Sequence, residues 1–111
     1  IAFLMADPQQ VVQLWTVSPN GGEPRQITWL SHSIQSAFSW HPRGEAIAFI
    51  CDNSVMRCEV ISGACQRLTD RTEQPPSGDA VVWSPDGSQI AYMREVNGWR
   101  QLFTVAATAA A

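Results

Sequence analysis

One stretch of this chain is written twice: WHPRGEAIAFI at residues 40–50 and WSPDGSQIAYM at residues 83–93. Trp40 and Trp83 stand 43 residues apart, as do Ile47 and Ile90, and a partial third copy, IAF, opens the chain 46 residues before Ile47. The pairs Ile27-Thr28 and Leu68-Thr69 are 41 residues apart, and QLWTV at 13–17 returns as QLFTV at 101–105, two periods later. Between copies the pattern reads as four short strands joined by tight turns. A period of about 40 to 45 residues with four strands per unit is the blade signature of a β-propeller. A β-sandwich has similar strand spacing, but nothing in it requires side chains to recur in register.

The strands themselves are legible in order. Apolar or β-branched runs at 1–5, 11–17 and 24–28 are separated by Asp7-Pro8 and by Pro19 to Gly22, which are turn chemistry. Runs at 37–40, 46–51, 55–60 and 65–69 make a complete four-strand unit, and runs at 80–83, 89–93 and 101–105 begin another. No segment sustains a 3.6-residue apolar period, so helix has no claimant. The chain therefore reads as all-β, a partial propeller of four-stranded antiparallel blades, about two and a half of them. Residues 1–28 give the last three strands of one blade, 29–69 a loop and one full blade, and 70–111 a loop and most of a third.

The repeated residues fit that use. In Ser84-Pro85-Asp86-Gly87 the proline presets φ and the glycine tolerates positive φ, which makes a tight reversal. Ile47 and Phe49, like Ile90 and Tyr92, alternate with Ala48 and Ala91, so one face of each strand is bulky and the other small. Sheets packed face to face need such matching. Trp40 and Trp83 are expected to wedge between neighbouring blades, whereas Trp29 and Trp99, beside turns, are the tryptophans available for surface recognition.

Composition closes off several function classes. With 111 residues and 45% hydrophobic side chains there is material for one core. Net charge is −3, and the seven basic residues are all arginines and scattered, which leaves no footprint for nucleic acid. No apolar run reaches the roughly 18 to 20 residues of a membrane span, and no signal-peptide pattern is present. An initial Ile inside a strand-like run and an alanine-rich end read as cut ends. Cys51, Cys58 and Cys65 are spaced by seven. Zinc sites favour close cysteine pairs and four ligands, and an odd count does not complete a disulfide framework. The expectation is three unpaired cysteines used as small apolar residues in successive strands, with no metal and no cofactor.

The aromatic-S-P-D-G turn, the I-A-F or I-A-Y strand, QLFTV and a closing L-T together resemble the repeat of the TolB-type propellers, over essentially the whole chain. The first full copy departs from that pattern with His41 and Arg43 where Ser and Asp are usual. The resemblance implies a ring of six or seven blades, so the rest of the ring is required from the same chain or from other copies. It also implies a non-catalytic, bacterial scaffold that engages a protein partner in an envelope complex, and hence the periplasm. Three unpaired cysteines argue for a reducing compartment instead. The same repeat forms the lid of prolyl-oligopeptidase-like peptidases and part of some polysaccharide lyases, which gives the alternative of a propeller domain of an enzyme with ligand or metal at the channel mouth. Uncharacterised bacterial Tol-like proteins share phrases such as SPNGGEPRQITW and SHSIQSAFSWHP.

Candidate binding residues lie in the irregular connections, 29–36 and 70–79, which in a propeller crowd one mouth of the channel. They are His32 and Gln35 in the first, and Asp70, Glu73 and Asp79 in the second. A histidine among carboxylates suits a metal or a sugar acid, but one histidine does not complete a site by itself. No catalytic residue is assigned. Ser31-His32-Ser33 places its three residues side by side rather than as nucleophile, base and orienting acid, and no G-x-S-x-G elbow exists. Gly21-Gly22 lacks the helix and lysine of a phosphate-binding loop.

Overall fold

A computed structural model describes residues 1–69 and 81–107. It contains ten strands and, among the described residues, no helix. β1 (Ala2–Ala6), β2 (Val12–Thr16) and β3 (Arg25–Gln26) form the first sheet. β4 (Ser39–Trp40), β5 (Ala46–Cys51), β6 (Ser54–Glu59) and β7 (Cys65–Arg67) form the second, and β8 (Val82–Trp83), β9 (Gln89–Val96) and β10 (Trp99–Ala106) the third. Every sheet is an antiparallel meander in sequence order. The runs expected from sequence all become strands, with ends shifted by a few residues.

β9 and β10 extend further than the sequence reading, to eight residues each, because Asn97 (φ 52°) and Gly98 (φ 81°) close a two-residue hairpin. Two positive φ angles match the right-handed twist of the flanking strands, and Asn-Gly is the dipeptide that tolerates them. Asp52 (φ 53°) and Asn53 (φ 60°) do the same between β5 and β6, where Cys51 faces Ser54 across the ladder.

The sheets stack face to face, and their interfaces match bulky faces to small ones. Ile47 and Phe49 of β5 pack with Leu14 and Ile27, over Ala2 and Leu4 of the first sheet. On the other side of β5, Ala46, Ala48 and Ile50 with Val55 receive Trp83, Ile90 and Tyr92 of the third sheet. β5 is buried along its whole length, as a strand covered on both faces must be. Burying one side chain such as Phe49 or Ile90 contributes about 1.5 to 3 kcal/mol, so these two seams hold most of the cohesion.

Two expectations fail here. Trp83 does wedge: its Nε1 donates to the Ser39 carbonyl of the neighbouring sheet at 2.8 Å. Trp40 stays 40% exposed. Among the described residues the first sheet has the order β1-β2-β3, with no strand in the place that β4 takes in the second, so the ring of Trp40 is only partly covered. The cysteines are also not three free thiols. Cys58 and Cys65 sit directly opposite each other on β6 and β7 and form a disulfide, which leaves only Cys51 free and buried. Spacing alone missed this because seven residues here contain a hairpin: Gly63 (φ 75°) reverses the chain and brings the two cysteines into register. The compartment argument built on three unpaired cysteines loses its premise.

Candidate functional site at the loop end

The meanders place alternate turns at opposite ends of the sheets. At one end lie the β1–β2 turn, the long connection from β3 to β4, the β5–β6 turn and the β9–β10 turn. At the other lie the β4–β5 and β8–β9 turns. The β3–β4 connection is more ordered than its polar sequence suggests. Ser33 Oγ accepts from the Val12 amide at 2.9 Å, Ser36 Oγ accepts from the Ile50 amide at 2.8 Å, and Ile34 is buried in a single bridge to Cys51. Two of the serines around His32 are thus spent pinning the connection across the seam between the first two sheets.

Its start is fixed by Gln13, a buried amide with every bond made. Gln13 Nε2 donates to Asp7 and to the Leu30 carbonyl, and its Oε1 accepts from Thr28 Oγ1 and the Leu30 amide. Asp7 anchors the adjoining turn. The bond from the Val11 amide first, helped by those from Gln13 and the Gln9 amide, holds its carboxyl below the usual range against the opposing effect of burial.

Above this base opens a cavity of about 280 Å³ lined by Trp29, Leu30, Ser31, His32, Cys51, Asp52, Met56 and Arg67. Its lining mixes apolar side chains, Trp29, Leu30 and Met56, with the charged Asp52 and Arg67. Asp52 sits on the β5–β6 turn and accepts from Arg67 Nη2 at 2.9 Å; Arg67 Nη1 also bonds Ser54 Oγ at 2.6 Å. His32 Nδ1 is 3.8 Å from the same Asp52 oxygen and 3.2 Å from Ser31 Oγ. Trp29 stands at the rim, 79% exposed, and Trp99 at the same end is 75% exposed. Both tryptophans singled out from sequence therefore face solvent.

Cys51 lies on the floor. Its Sγ donates to the His32 carbonyl at 3.2 Å, and burial first, then the nearby Asp52 charge, pushes its thiol up to about 11, against the pull of Arg67. A thiol held protonated is a poor nucleophile. Among the described residues, no group of three or more His, Cys, Asp or Glu side chains is arranged to hold a metal ion.

Of the candidates from sequence, His32 reaches the cavity, and Gln35 Oε1 accepts from the Asn53 amide at 3.3 Å, bound to the same turn. Asp70, Glu73 and Asp79 lie outside the described residues. Among the described residues the carboxylate beside His32 is Asp52, which, like Arg67, was not singled out from sequence. Its signal was the Asp-Asn dipeptide between two strands, which marks a tight hairpin whose tip shares an end with the β3–β4 connection.

The fold has close counterparts among solved structures. A protein assigned to TolB from Agrobacterium tumefaciens superposes with a TM-score of 0.73 at 24% identity, over 95% of this chain and 38% of that one. The fold is that of part of a TolB-type propeller. TolB from Acinetobacter baumannii gives a TM-score of 0.72 at 18% identity, over 96% of this chain and 28% of its own. In sequence, the chain is 50% identical over 99 residues to YidR of Escherichia coli (strain K12), described as an uncharacterized protein. That match takes in 89% of this chain and spans 24% of the relative's length. No family model matches. All three similar proteins are bacterial.

Proposed function

We propose that this chain belongs to a bacterial, non-catalytic propeller scaffold whose loop end engages a protein partner. The observation that carries the reading is the pair of exposed tryptophans, Trp29 and Trp99, at one end of the sheets, the first over a half-apolar cavity. Tryptophan and arginine are the residues that most often dominate binding energy at protein interfaces, typically beside a preformed pocket. Asp52 and Arg67 neutralise one another, so the cavity has no strong demand for an ion and suits a neutral side chain of a partner. The thiol of Cys51 is protonated and shielded, and Ser33 and Ser36 are engaged with backbone amides, which argues against nucleophilic chemistry by these groups.

Photo-crosslinking tests this. A photoreactive residue in place of Ser31 should give a discrete protein adduct in cells that make the full-length protein, and one in place of Ile61, exposed at the opposite end, should not. Trp29→Ala should weaken the Ser31 adduct by about thirtyfold in partner concentration, the scale of a 2 kcal/mol hot spot. Equal adducts from both positions would defeat the reading.

A further inference from the structure

We propose that Asn97 is a site of spontaneous succinimide formation, and that its conversion to isoaspartate opens the tip of the β9–β10 hairpin. The chain has three asparagines, Asn20, Asn53 and Asn97, and Asn20 and Asn97 precede glycine. An asparagine side chain is attacked at Cγ by the amide nitrogen of the following residue, so access to that nitrogen governs the rate. Glycine gives the most access, because it has no Cβ to shield the nitrogen. Asn97 is exposed at the hairpin tip, and a Cβ built on Gly98 would meet nothing within 4 Å. Among the described residues the Gly98 amide makes no backbone hydrogen bond that would have to break first. The other two asparagines are held back. The Gly21 amide donates to the Ser18 carbonyl at 3.0 Å, and the Asn20 amide to Ser18 Oγ at 3.2 Å. Asn53 precedes Ser54, a buried residue whose Oγ is bonded to Arg67, and the Asn53 amide donates to Gln35.

The reaction consumes water alone. The Gly98 nitrogen bonds to Asn97 Cγ and gives up its proton, the side-chain nitrogen leaves as ammonia, and a five-membered imide remains. Water then opens one of its two carbonyls, giving aspartate or isoaspartate; in the latter the main chain runs through Cβ and Cγ. Aspartate keeps the turn, since Asp-Gly tolerates the two positive φ angles, 52° and 81°, as Asn-Gly does. Isoaspartate puts an additional backbone carbon into a two-residue turn whose length sets the register of the hairpin. The rungs that give way are Val96 with Trp99 and Arg94 with Gln101, which lie on the tip side of Ile90 and Tyr92, the residues buried in the seam. The Val96 rung orients Trp99, which is 75% exposed, so the conversion acts as a chemical clock on one of the two exposed tryptophans at the loop end. It stands whether or not that end engages a partner.

The test is ageing of the full-length protein at physiological temperature and mildly alkaline pH, followed by peptide mapping and by labelling with an isoaspartyl methyltransferase. Asn97 should convert about five times faster than Asn20, the factor that one net hydrogen bond of typical strength supplies at the Gly21 amide. Asn53 should remain an amide. In hydrogen exchange the isoaspartyl protein should lose protection at the amides of Val96, Trp99, Arg94 and Gln101 and keep it at Ile90 and Val105. Freshly made Asn97→Asp carries the new charge without the additional carbon and should keep full protection. Asn97→Gln, whose longer side chain would need a six-membered ring, should stay unlabelled at this position. Conversion of Asn20 ahead of Asn97, or an Asn97 that persists in the folded protein while the unfolded protein converts, would overturn the site. Full protection in the isoaspartyl form would overturn the opening of the hairpin.

Discussion

The seam between the second and third sheets can be probed at one glycine. His41 is almost completely buried at the β4–β5 turn, its Nδ1 accepts from the Arg43 amide at 3.0 Å, and its ring meets Trp83 edge-on with centroids 4.8 Å apart. The ring fills the space over Gly87 of the β8–β9 turn. A Cβ at Gly87 would lie 2.2 Å from His41 Nε2 and 2.8 Å from Cε1. Gly87→Ala should therefore incur two separable costs. The first is backbone strain, since φ is +75° there, worth about 1 to 2 kcal/mol for an L-residue. The second is overpacking against a ring that cannot swing away without breaking its bond to Arg43, worth about 1 to 3 kcal/mol. Gly44, in the equivalent turn of the second sheet, has φ +74° and nothing within 4 Å of its built Cβ, so Gly44→Ala carries the strain alone. In urea unfolding followed by tryptophan fluorescence, Gly87→Ala should destabilise by about 2 to 5 kcal/mol. In a His41→Ala background the same change should fall to the Gly44→Ala value, a coupling of about 1 to 3 kcal/mol. A coupling below about 0.5 kcal/mol would refute the claim that this histidine locks the two turns together.

Thiol counting distinguishes the cysteines. The folded chain should react slowly with a thiol reagent at pH 8, because Cys51 is buried and titrates near 11; unfolding should expose one thiol, and unfolding with reductant three. Replacing Cys58 and Cys65 by serine should lower stability by about 2 to 3 kcal/mol, the scale for closing a short loop in the unfolded chain, measured by denaturant unfolding. Asp86 should make the β8–β9 turn acid-sensitive: bonds from Ser84 Oγ first, then the Ser88 amide and Ser88 Oγ, depress its carboxyl from 3.8 to about 2. A depressed folded value stabilises above the unfolded value and is lost as pH falls, so the contribution should disappear between about pH 4 and pH 2. Asp86→Asn should flatten that part of the stability profile, and an unaltered profile would show that the carboxylate contributes nothing there.

The architecture was readable because its causes are local and repeated. Alternation of Ile47, Ala48 and Phe49 fixes which side of β5 faces which neighbour, and Pro85 with Gly87 fixes where the strand begins. What escaped depends on pairing between segments. Trp40 and Trp83 are equivalent in sequence, yet one is buried and one is not, because burial is supplied by the adjacent sheet. Cys58 and Cys65 become partners only once β6 and β7 are in register. The candidate site shows the same division. His32 was visible as an isolated histidine in an irregular connection, whereas Asp52 and Arg67, the charges beside it, come from a hairpin tip and a strand end of the next sheet. His41, read from sequence as a mere departure from the usual turn, is the side chain that fills the seam.

His41 and Gly87 also limit how such a molecule can change over time. A bulky ring in one turn obliges the following turn to keep bare backbone. Glycine stands at this position in both turns, Gly44 and Gly87, so either unit can follow a histidine-bearing turn, and a unit that had lost that glycine could not.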